Sequence, residues 1–282
     1  MKTTKTYLDK FRINIMNNKT TVCIPSKLEN LDFFLDLIKS IKNQTLLPDE
    51  ILIIVSGRPL NEIKNSINFL KRKIPNNLNC KFVVSKKNGL SCARNLGIDL
   101  CENEIIIFGD DDDFWHKDKV RLTVKAIEKN KPCLVKHFHN SLKGESFISV
   151  PLKVKPNPNP FSVGYSNLIG GGSAISGSLD VFKVIKFDNY KNCEDWDFWI
   201  RSFLAGIRII QINKELVTYR IHANRMTSSF LSVYKFENQI RYRYLLRSLF
   251  FSFGILLGFL KSTLRTFLRI NLYSLKRFLR IK

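Results

Sequence analysis

The chain has 282 residues, of which 44% are hydrophobic, and this length is enough to bury a large core in one or two domains. Lysine and arginine number 46 against 24 acidic residues, so the formal net charge of +22 predicts an anionic partner without identifying it. The six cysteines form no CxxC pair and no Cys/His group has zinc-ligand spacing, which argues against a disulfide framework and a zinc site and indicates reduced cytosolic thiols.

Strand-like and helix-like segments alternate from Thr20 to about Lys131, after a basic extension at residues 1–19 that lacks the apolar segment of a signal peptide. Four short runs rich in β-branched residues predict buried strands: 21–24, 51–55, 82–84 and 105–108. Between them, apolar residues at helical spacing predict helices, one of them capped by Ser91. The pattern predicts an α/β fold, in which helices flank a mainly parallel, Rossmann-like sheet.

Four consecutive aspartates, Asp110 to Asp113, directly follow the predicted strand 105–108. Carboxylates this close repel one another at neutral pH unless positive charge sits among them. The cluster falls at the carboxyl end of a strand, where open α/β sheets bind their ligands. Grouped oxygen ligands suit Mg²⁺ or Mn²⁺ shared with phosphate oxygens. A solvated acidic turn is the alternative, and the preceding buried strand and Gly109 argue against it.

The alternation ends after Lys131. His137 and His139 are spaced as neighbours on a strand, and we expect a structural or surface role for both. Four prolines then predict a loop that faces the ligand: Pro151, Pro156, Pro158 and Pro160. The glycines at 170–172 precede a predicted short strand at 173–176, and the globular part is expected to end near residue 230.

Five short motifs occur in this region: IP at 24–25, NGLSCARNLG at 88–97, FGDDD at 108–112, CEDWD at 193–197 and YRIH at 219–222. In this order they resemble the motifs of family 2 glycosyltransferases with a GT-A fold, over residues 20 to about 229. The resemblance implies that the protein transfers a sugar from a nucleotide-diphosphate sugar to an acceptor hydroxyl.

The resemblance also implies roles for individual residues. Asp112 is expected to hold Mn²⁺ or Mg²⁺ at the donor diphosphate, and His222 is a second candidate metal ligand. Asp195 is the expected catalytic base, which implies a single displacement with inversion. The alternative is that the acids at 194–197 only stabilise a helix N-terminus, and the two roles are compatible.

The expected donor-binding set contains eight residues: Pro25, Glu50, Ser56, Asn88, Gly89, Arg94, Asp110 and Asp111. Arg94 is expected to contact the diphosphate or the aspartate cluster, with a structural ion pair as the alternative. One motif departs from the family. After the second strand the family has Asp-Asp-Gly-Ser, whereas this chain has an uncharged Ser56 and a basic Arg58, which leaves the donor open.

The last fifth of the chain, residues 231–282, is predicted to be a basic, apolar helical tail. It contains eleven lysines and arginines against one acidic residue, Glu237, a balance of +10. The apolar run 249–260 is shorter than the roughly 20 residues that span a bilayer. Residues 241–282 instead suggest a basic amphipathic helix on an anionic membrane surface, where each basic residue contributes roughly 1 kcal/mol. The alternative is a core helix that packs on the catalytic domain or on a second copy.

Together these features predict a metal-dependent, inverting glycosyltransferase, peripheral on the cytoplasmic face of the cell membrane, that acts on a surface-glycan or lipid-linked acceptor. A nucleotidyltransferase of related fold is the enzymatic alternative, and a transferase-like protein without turnover is another. A binding protein for membranes or nucleic acid is the non-enzymatic alternative. We do not expect a nucleic-acid partner, because the basic residues accompany an apolar run and no groove-reading motif is present.

Overall fold

The computed structural model describes residues 19–144, 146–148, 159–165, 171–222, 230–251 and 253–265. The described residues form a sheet of nine strands with helices packed against it. The N-terminal extension through residue 18, most of the proline loop and the tail beyond residue 265 lie outside the described residues.

The first half of the fold is a parallel sheet, as the sequence predicts. Its elements are β1 (Thr20–Ser26), α1 (Leu31–Lys42), β2 (Glu50–Val55), α2 (Leu60–Lys73), β3 (Cys80–Val84), α3 (Leu90–Leu100) and β4 (Ile105–Phe108). The strands lie in the order β3-β2-β1-β4, and each neighbouring pair is parallel. All four predicted strands are confirmed, and β1, β2 and β4 are buried throughout their length.

The second half of the sheet is mixed, so the prediction of a mainly parallel sheet describes the first half only. Its elements are β5 (Phe114–Trp115), α4 (Lys119–Asn130), β6 (Leu134–Lys143), β7 (Ser146–Ile148), α5 (Pro160–Tyr165), β8 (Ser176–Ser178), α6 (Leu179–Val184), α7 (Glu194–Leu204) and β9 (Ile209–Ile221). Strand β8 runs antiparallel to both β4 and β6, whereas β6 and β9 are parallel. The two halves therefore meet at the β4–β8 pair.

Two local predictions are wrong. Helix α3 begins at Leu90 rather than at Ser91, because Gly89 precedes it with φ +112°, a conformation that only glycine adopts without strain. The strand predicted at 173–176 begins at Ser176 instead. A short 3₁₀ helix at Gly172–Ala174 precedes it, held by hydrogen bonds between Ser173 and Asp110.

The described part of the C-terminal segment packs on the rest of the fold. Helix α8 spans Phe230–Phe251, and residues 253–265, which we name helix α9, are also helical. Ile240, Tyr244, Ile255 and Phe259 are buried in the same core cluster as the α7 tryptophans. A methyl group at Gly164 of α5 would lie 2.3 Å from the carbonyl oxygen of Ile255, so these helices cross in close contact.

None of the described helices combines the length and the apolar character needed to cross a bilayer.

The packing of α9 predicts that shortening two neighbouring side chains to alanine lowers the free energy of unfolding by different amounts. Phe259 is 1% exposed and its ring contacts the Trp196 ring edge-on at 6.0 Å, whereas Leu260 is 54% exposed. We expect Phe259→Ala to lower the free energy of unfolding by roughly 3–5 kcal/mol and Leu260→Ala by about 0.5 kcal/mol or less, measured by denaturant titration. Equal, small effects would show that α9 does not dock on the domain.

Candidate active site

The carboxyl ends of β1, β2, β3 and β4 meet at one edge of the sheet and bring together most of the predicted donor-binding residues. Pro25 is a buried residue near the end of β1, and Ser26 after it accepts the backbone N–H of Ser56 on its carbonyl oxygen at 3.1 Å. The side-chain oxygen of Asn88 accepts the N–H of Gly57 at 3.1 Å. Gly89, the residue after Asn88, opens helix α3 at the same edge.

The prediction that Glu50 binds the donor is wrong. Glu50 is the first residue of β2 and pairs with Thr21 at the amino end of β1, so the strand length separates it from the site. Its carboxylate accepts the Thr21 hydroxyl at 3.0 Å and forms an ion pair with Lys81 at 2.6 Å. Glu50 therefore fixes the opposite edge of the sheet.

Arg58, the basic residue that departs from the family motif, turns away from the site. Its guanidinium donates to the carbonyl oxygen of Leu28 at 2.5 Å and pairs with Glu62 at 2.8 Å. Its charge therefore holds the turn after β1 against helix α2. The residue directly after β2 is the neutral and buried Ser56.

The four aspartates point into four different environments. Asp110 accepts Arg94 Nη2 on Oδ1 and the Ser173 N–H on Oδ2, both at 3.1 Å. The Ser26 hydroxyl donates to Asp111. Asp112 Oδ2 lies 2.9 Å from His222 Nε2, and Asp113 is 4% exposed. This arrangement excludes the solvated acidic turn.

Burial raises the pKa of three of the four carboxyls. It raises the pKa of the Asp111 carboxyl to about 7, although the Ser26 hydrogen bond opposes the shift. Burial and the neighbouring Asp110 raise the pKa of Asp112. Burial, with Asp112 and Asp110, raises the pKa of Asp113 well above its ordinary value. A cation in the cleft would favour the ionised forms.

Asp112 and His222 fit a hard divalent cation as a two-ligand site. They come from separate elements, the turn after β4 and the end of β9, yet their ligand atoms lie 2.9 Å apart. Across the described residues, no three His, Cys, Asp or Glu side chains converge as a ligand set. Mg²⁺ commonly takes one or two protein ligands and completes its shell with water and substrate phosphates, so two ligands are sufficient.

Arg94 is the central cation of the site. Its guanidinium is 1% exposed and binds Asp110 at 3.1 Å and Glu194 at 2.6 Å. Burial alone would lower the pKa of Arg94, but Asp110 and Glu194 outweigh burial and raise it above its ordinary value. Of the roles considered for Arg94, the contact with the aspartate cluster is present. The ion pairs join α3, the end of β4 and the start of α7.

Gly171 and Gly172 line the space between the two acidic groups of the site. A methyl group on Gly172 would lie 1.9 Å from Arg94 Nη2 and 2.7 Å from Asp110 Oδ1. A methyl group on Gly171 would lie 3.8 Å from Asp195 Oδ2. Asp110 and Asp195 therefore each lie beside one residue of the same glycine pair, and a side chain at Gly172 would collide with Arg94 and Asp110.

Asp195 is a half-buried residue in the first turn of α7. Its Oδ1 accepts the N–H of Trp196 at 2.8 Å, while Oδ2 is the oxygen nearest Gly171. The buried face of this helix contains Trp196, Trp199 and Ile200, which are at most 1% exposed. Asp195 thus lies at a helix N-terminus and also borders the cleft.

Sequence reasoning missed the group behind the cluster. Lys119 is fully buried and donates to the carbonyl oxygen of Ser173 at 2.6 Å, and its Nζ lies 2.8 Å from His137 Nε2. Burial lowers the pKa of Lys119 to about 7. The available signal was helical spacing, because Lys119 is four residues before Thr123 and eight before Ile127 on the buried face of α4. Ser173 carried no such signal.

Arg220 lies in the YRIH motif but had no predicted role. Its guanidinium stacks between the rings of Phe33 and Phe114, at 3.9 and 4.2 Å from their centroids. Its Nε donates to the backbone carbonyl of Asp112 at 3.2 Å, and Nη2 pairs with Asp36. Arg220 therefore fixes the backbone that carries the candidate metal ligand.

Comparison with known families gives one match that covers more than half of the chain. The family model described as glycosyl transferase family 2 matches residues 21–178. This range contains the parallel half of the sheet, the aspartate cluster and the glycine pair, and it ends before α7.

Individual relatives share about a quarter to a third of their residues with this chain over the matched segments. The chain is 26% identical over 200 residues to UDP-Gal:alpha-D-GlcNAc-diphosphoundecaprenol beta-1,3-galactosyltransferase of Escherichia coli, covering 67% of this chain and 68% of that protein. It is 31% identical over 148 residues to the amylovoran biosynthesis glycosyltransferase AmsB of Erwinia amylovora, and spans about half of that protein, 48%. Among solved structures, S. aureus TarS 1-349 in complex with UDP-GlcNAc superposes with a TM-score of 0.63 at 18% identity, covering 86% of this chain and 72% of TarS.

Proposed function

The chain belongs to glycosyl transferase family 2 and is a glycosyltransferase, and from this premise we propose an inverting transfer from a nucleotide-diphosphate sugar to a surface-glycan or lipid-linked acceptor. One observation carries the proposal. Asp110 and Asp195 come from different elements, face the same glycine pair and are connected through Arg94 and Glu194. A donor bound at the first carboxylate and an acceptor bound at the second would meet at this pair.

The donor side of the site consists of the carboxyl ends of β1 to β4. We assign the nucleoside to the surface near Ser56 and Asn88, and the ribose or diphosphate to Asp110 and Asp111. The similarity to TarS, whose solved complexes contain UDP and UDP-GlcNAc, supports a nucleotide sugar as the donor class. Because Arg58 turns away and Ser56 is neutral, hydrogen bonding rather than charge would select the base.

Asp112 and His222 would hold the divalent cation, Mg²⁺ or Mn²⁺. When bound, this ion would act as a Lewis acid that stabilises the negative charge of the departing nucleoside diphosphate. Arg220 would keep Asp112 in place through its backbone contact. Arg94 and Ser173 would hold Asp110 in a fixed orientation beside the donor.

Asp195 would act as the catalytic base. Its Oδ1 accepts the Trp196 N–H, and Oδ2, on the side of Gly171, would accept the proton of the acceptor hydroxyl. The acceptor oxygen would then form a bond to the anomeric carbon while the bond from that carbon to the diphosphate breaks, and the electron pair leaves with the diphosphate. A single displacement of this kind inverts the configuration.

We place the enzyme peripherally on the cytoplasmic face of the cell membrane, through part of residues 241–282. The exposed side of α9 carries an apolar stripe at helical spacing, Phe253, Leu257, Leu260 and Leu264, which are 68%, 42%, 54% and 59% exposed. Lys261 and Arg265 accompany the stripe, and no acidic residue follows Glu237. An apolar stripe with cations fits an anionic bilayer surface.

The acceptor proposal agrees with this location. The E. coli relative is named for a diphosphoundecaprenol acceptor, which is a lipid-linked glycan. An enzyme held at the bilayer would meet such an acceptor in two dimensions rather than three. Arg241 and Arg243 contribute less to the membrane contact than predicted, since they pair with Glu237 and Asp188 on the protein.

Removing the candidate metal ligand should abolish metal-dependent nucleotide binding. We expect a nucleoside diphosphate with Mn²⁺ to raise the melting temperature of the wild type, because a ligand bound only to the native state stabilises it. Asp112→Ala should lose the part of this shift that depends on Mn²⁺, while Asp99→Ala, at an exposed aspartate of α3, should retain it. A full Mn²⁺-dependent shift in Asp112→Ala would remove Asp112 from the metal site.

Replacing the proposed base should stop turnover without weakening donor binding. We expect Asp195→Asn to lower kcat by roughly 10²–10⁴-fold, the usual contribution of a general base. Asp180→Asn is a matched control, because Asp180 also lies in a first helical turn and accepts the next N–H, at 2.9 Å. Initial rates and nucleotide titrations measure the two effects. An active Asp195→Asn variant would refute this assignment.

Polar substitution of the stripe should weaken binding to anionic vesicles. We expect the triple variant Leu257→Ser, Leu260→Ser, Leu264→Ser to bind phosphatidylglycerol-containing vesicles at least about tenfold more weakly than the wild type in co-sedimentation. A triple variant at exposed apolar positions elsewhere, Leu47→Ser, Leu60→Ser, Val184→Ser, is the control. Equal binding by both triple variants would exclude the stripe as the lipid contact.

A further inference from the structure

Helix α7, which carries Asp195, is held from its outer side by helix α8. The contact centres on Asp197, whose side chain is fully buried. The Tyr244 hydroxyl donates to Asp197 Oδ1 at 2.7 Å, and Arg201 Nε donates to Oδ2 at 2.7 Å. Arg243 Nη1 lies 3.4 Å from the same Oδ1. Both carboxylate oxygens are therefore occupied by donors, and the two donors to Oδ1 come from α8.

A buried carboxylate fixes the helix that carries it, because any movement that breaks its hydrogen bonds leaves a charge without solvent or partner. The Arg201 bond is internal to α7 and moves with the helix. The Tyr244 bond comes from another helix, so it fixes α7 relative to the rest of the fold. Arg243 adds a charged contact at the rim, where it also pairs with Asp188.

Asp197 and Asp195 share the first turn of α7 with Trp196 between them. The Asp197 N–H donates to the carbonyl of Cys193 at 3.1 Å, and Trp196 Nε1 donates to the carbonyl of Val163 at 2.7 Å. The turn therefore moves as one unit, and a shift at Asp197 also displaces the Asp195 carboxylate. Displacements of about 1 Å in a reacting group can reduce rates up to 10²-fold.

Tyr244 is suited to this contact and is not used in the mechanism above. Its side chain is 1% exposed, and burial together with Asp197 raises the pKa of its hydroxyl, so the hydroxyl remains a donor at neutral pH. It also lies outside residues 21–178, which the family model matches. No step of the mechanism above uses the Tyr244 hydroxyl, so a role for it has to come from its bond to Asp197.

We propose that Tyr244 is a positioning residue for the catalytic base: its hydroxyl fixes Asp197, and through the first turn of α7 it holds Asp195 at the distance that proton transfer requires. The proposal rests on the proposed role of Asp195. Helix α8 accordingly helps to position a residue of the active site, in addition to packing against α7.

The test compares Tyr244→Phe with Tyr242→Phe. Each change removes one hydroxyl from α8, but Tyr242 is 83% exposed whereas Tyr244 bonds to Asp197. We expect Tyr244→Phe to lower kcat about tenfold and leave the donor KM within about twofold, because the donor residues lie on other elements. Tyr242→Phe should match the wild type in both constants.

Two measurements separate positioning from stability. Rates are taken well below the melting temperature of each variant. A lower melting temperature with unchanged kcat in Tyr244→Phe would overturn the proposal, as would equal changes in kcat and donor KM. A double-mutant cycle with Asp197→Asn should give a combined loss of kcat no larger than the greater single loss, since both changes break one connection.

Failure of this inference is distinguishable from failure of the proposed function. Loss of kcat in Asp195→Asn together with wild-type kinetics in Tyr244→Phe would support Asp195 as the base and refute only the positioning role of Tyr244. Full activity in Asp195→Asn would refute the base itself.

Discussion

The buried guanidinium of Arg94 is the interaction on which the rest of the site depends. Asp110 comes from the end of β4 and Glu194 from the start of α7, and the buried Glu194 would be a costly charge without this partner. One cation thus connects the donor half of the sheet to the helix that carries the base. Lysine would replace it poorly, because its donors share one nitrogen, whereas the guanidinium reaches Asp110 and Glu194 through two different nitrogens.

Sequence patterns predicted the parallel half of the fold well, because each buried strand is a short β-branched run separated by helical periodicity. They did not predict the mixed half, since the antiparallel strand β8 is the short, weakly apolar segment SGS whose place depends on partners distant in the chain. Most of the predicted donor-side residues lie at one edge of the sheet, because strand ends coincide with motifs. The prediction for Glu50 failed because Glu50 is close to the motif in sequence but lies at the amino end of β2, whereas the site lies at the carboxyl ends of the strands. Ser173 acts through contacts that no local pattern encodes, whereas Lys119 carried the signal of helical spacing on the buried face of α4.

The tail shows why apolar periodicity alone is ambiguous. Helix α9 has two apolar sides, one with Ile255 and Phe259 against the domain and another with Leu257 and Leu260 exposed. A helix that is apolar on most of its circumference fits a protein core as well as a lipid interface. The alternative of a core helix describes the side with Ile255 and Phe259. The alternative of a membrane-surface helix concerns the exposed side, which the proposed lipid contact would use.

The docking of α8 and α9 also sets the limits of the catalytic unit. Trp196 lies between Phe259 on one side and the carbonyl of Val163 on the other, and Ile240 and Tyr244 complete the same core. A protein ending at residue 229 would expose this tryptophan and leave the Asp197 carboxylate without its tyrosine donor. The smallest part of the chain that can fold with an intact active site therefore extends well past the segment that the family model matches, at least through Phe259.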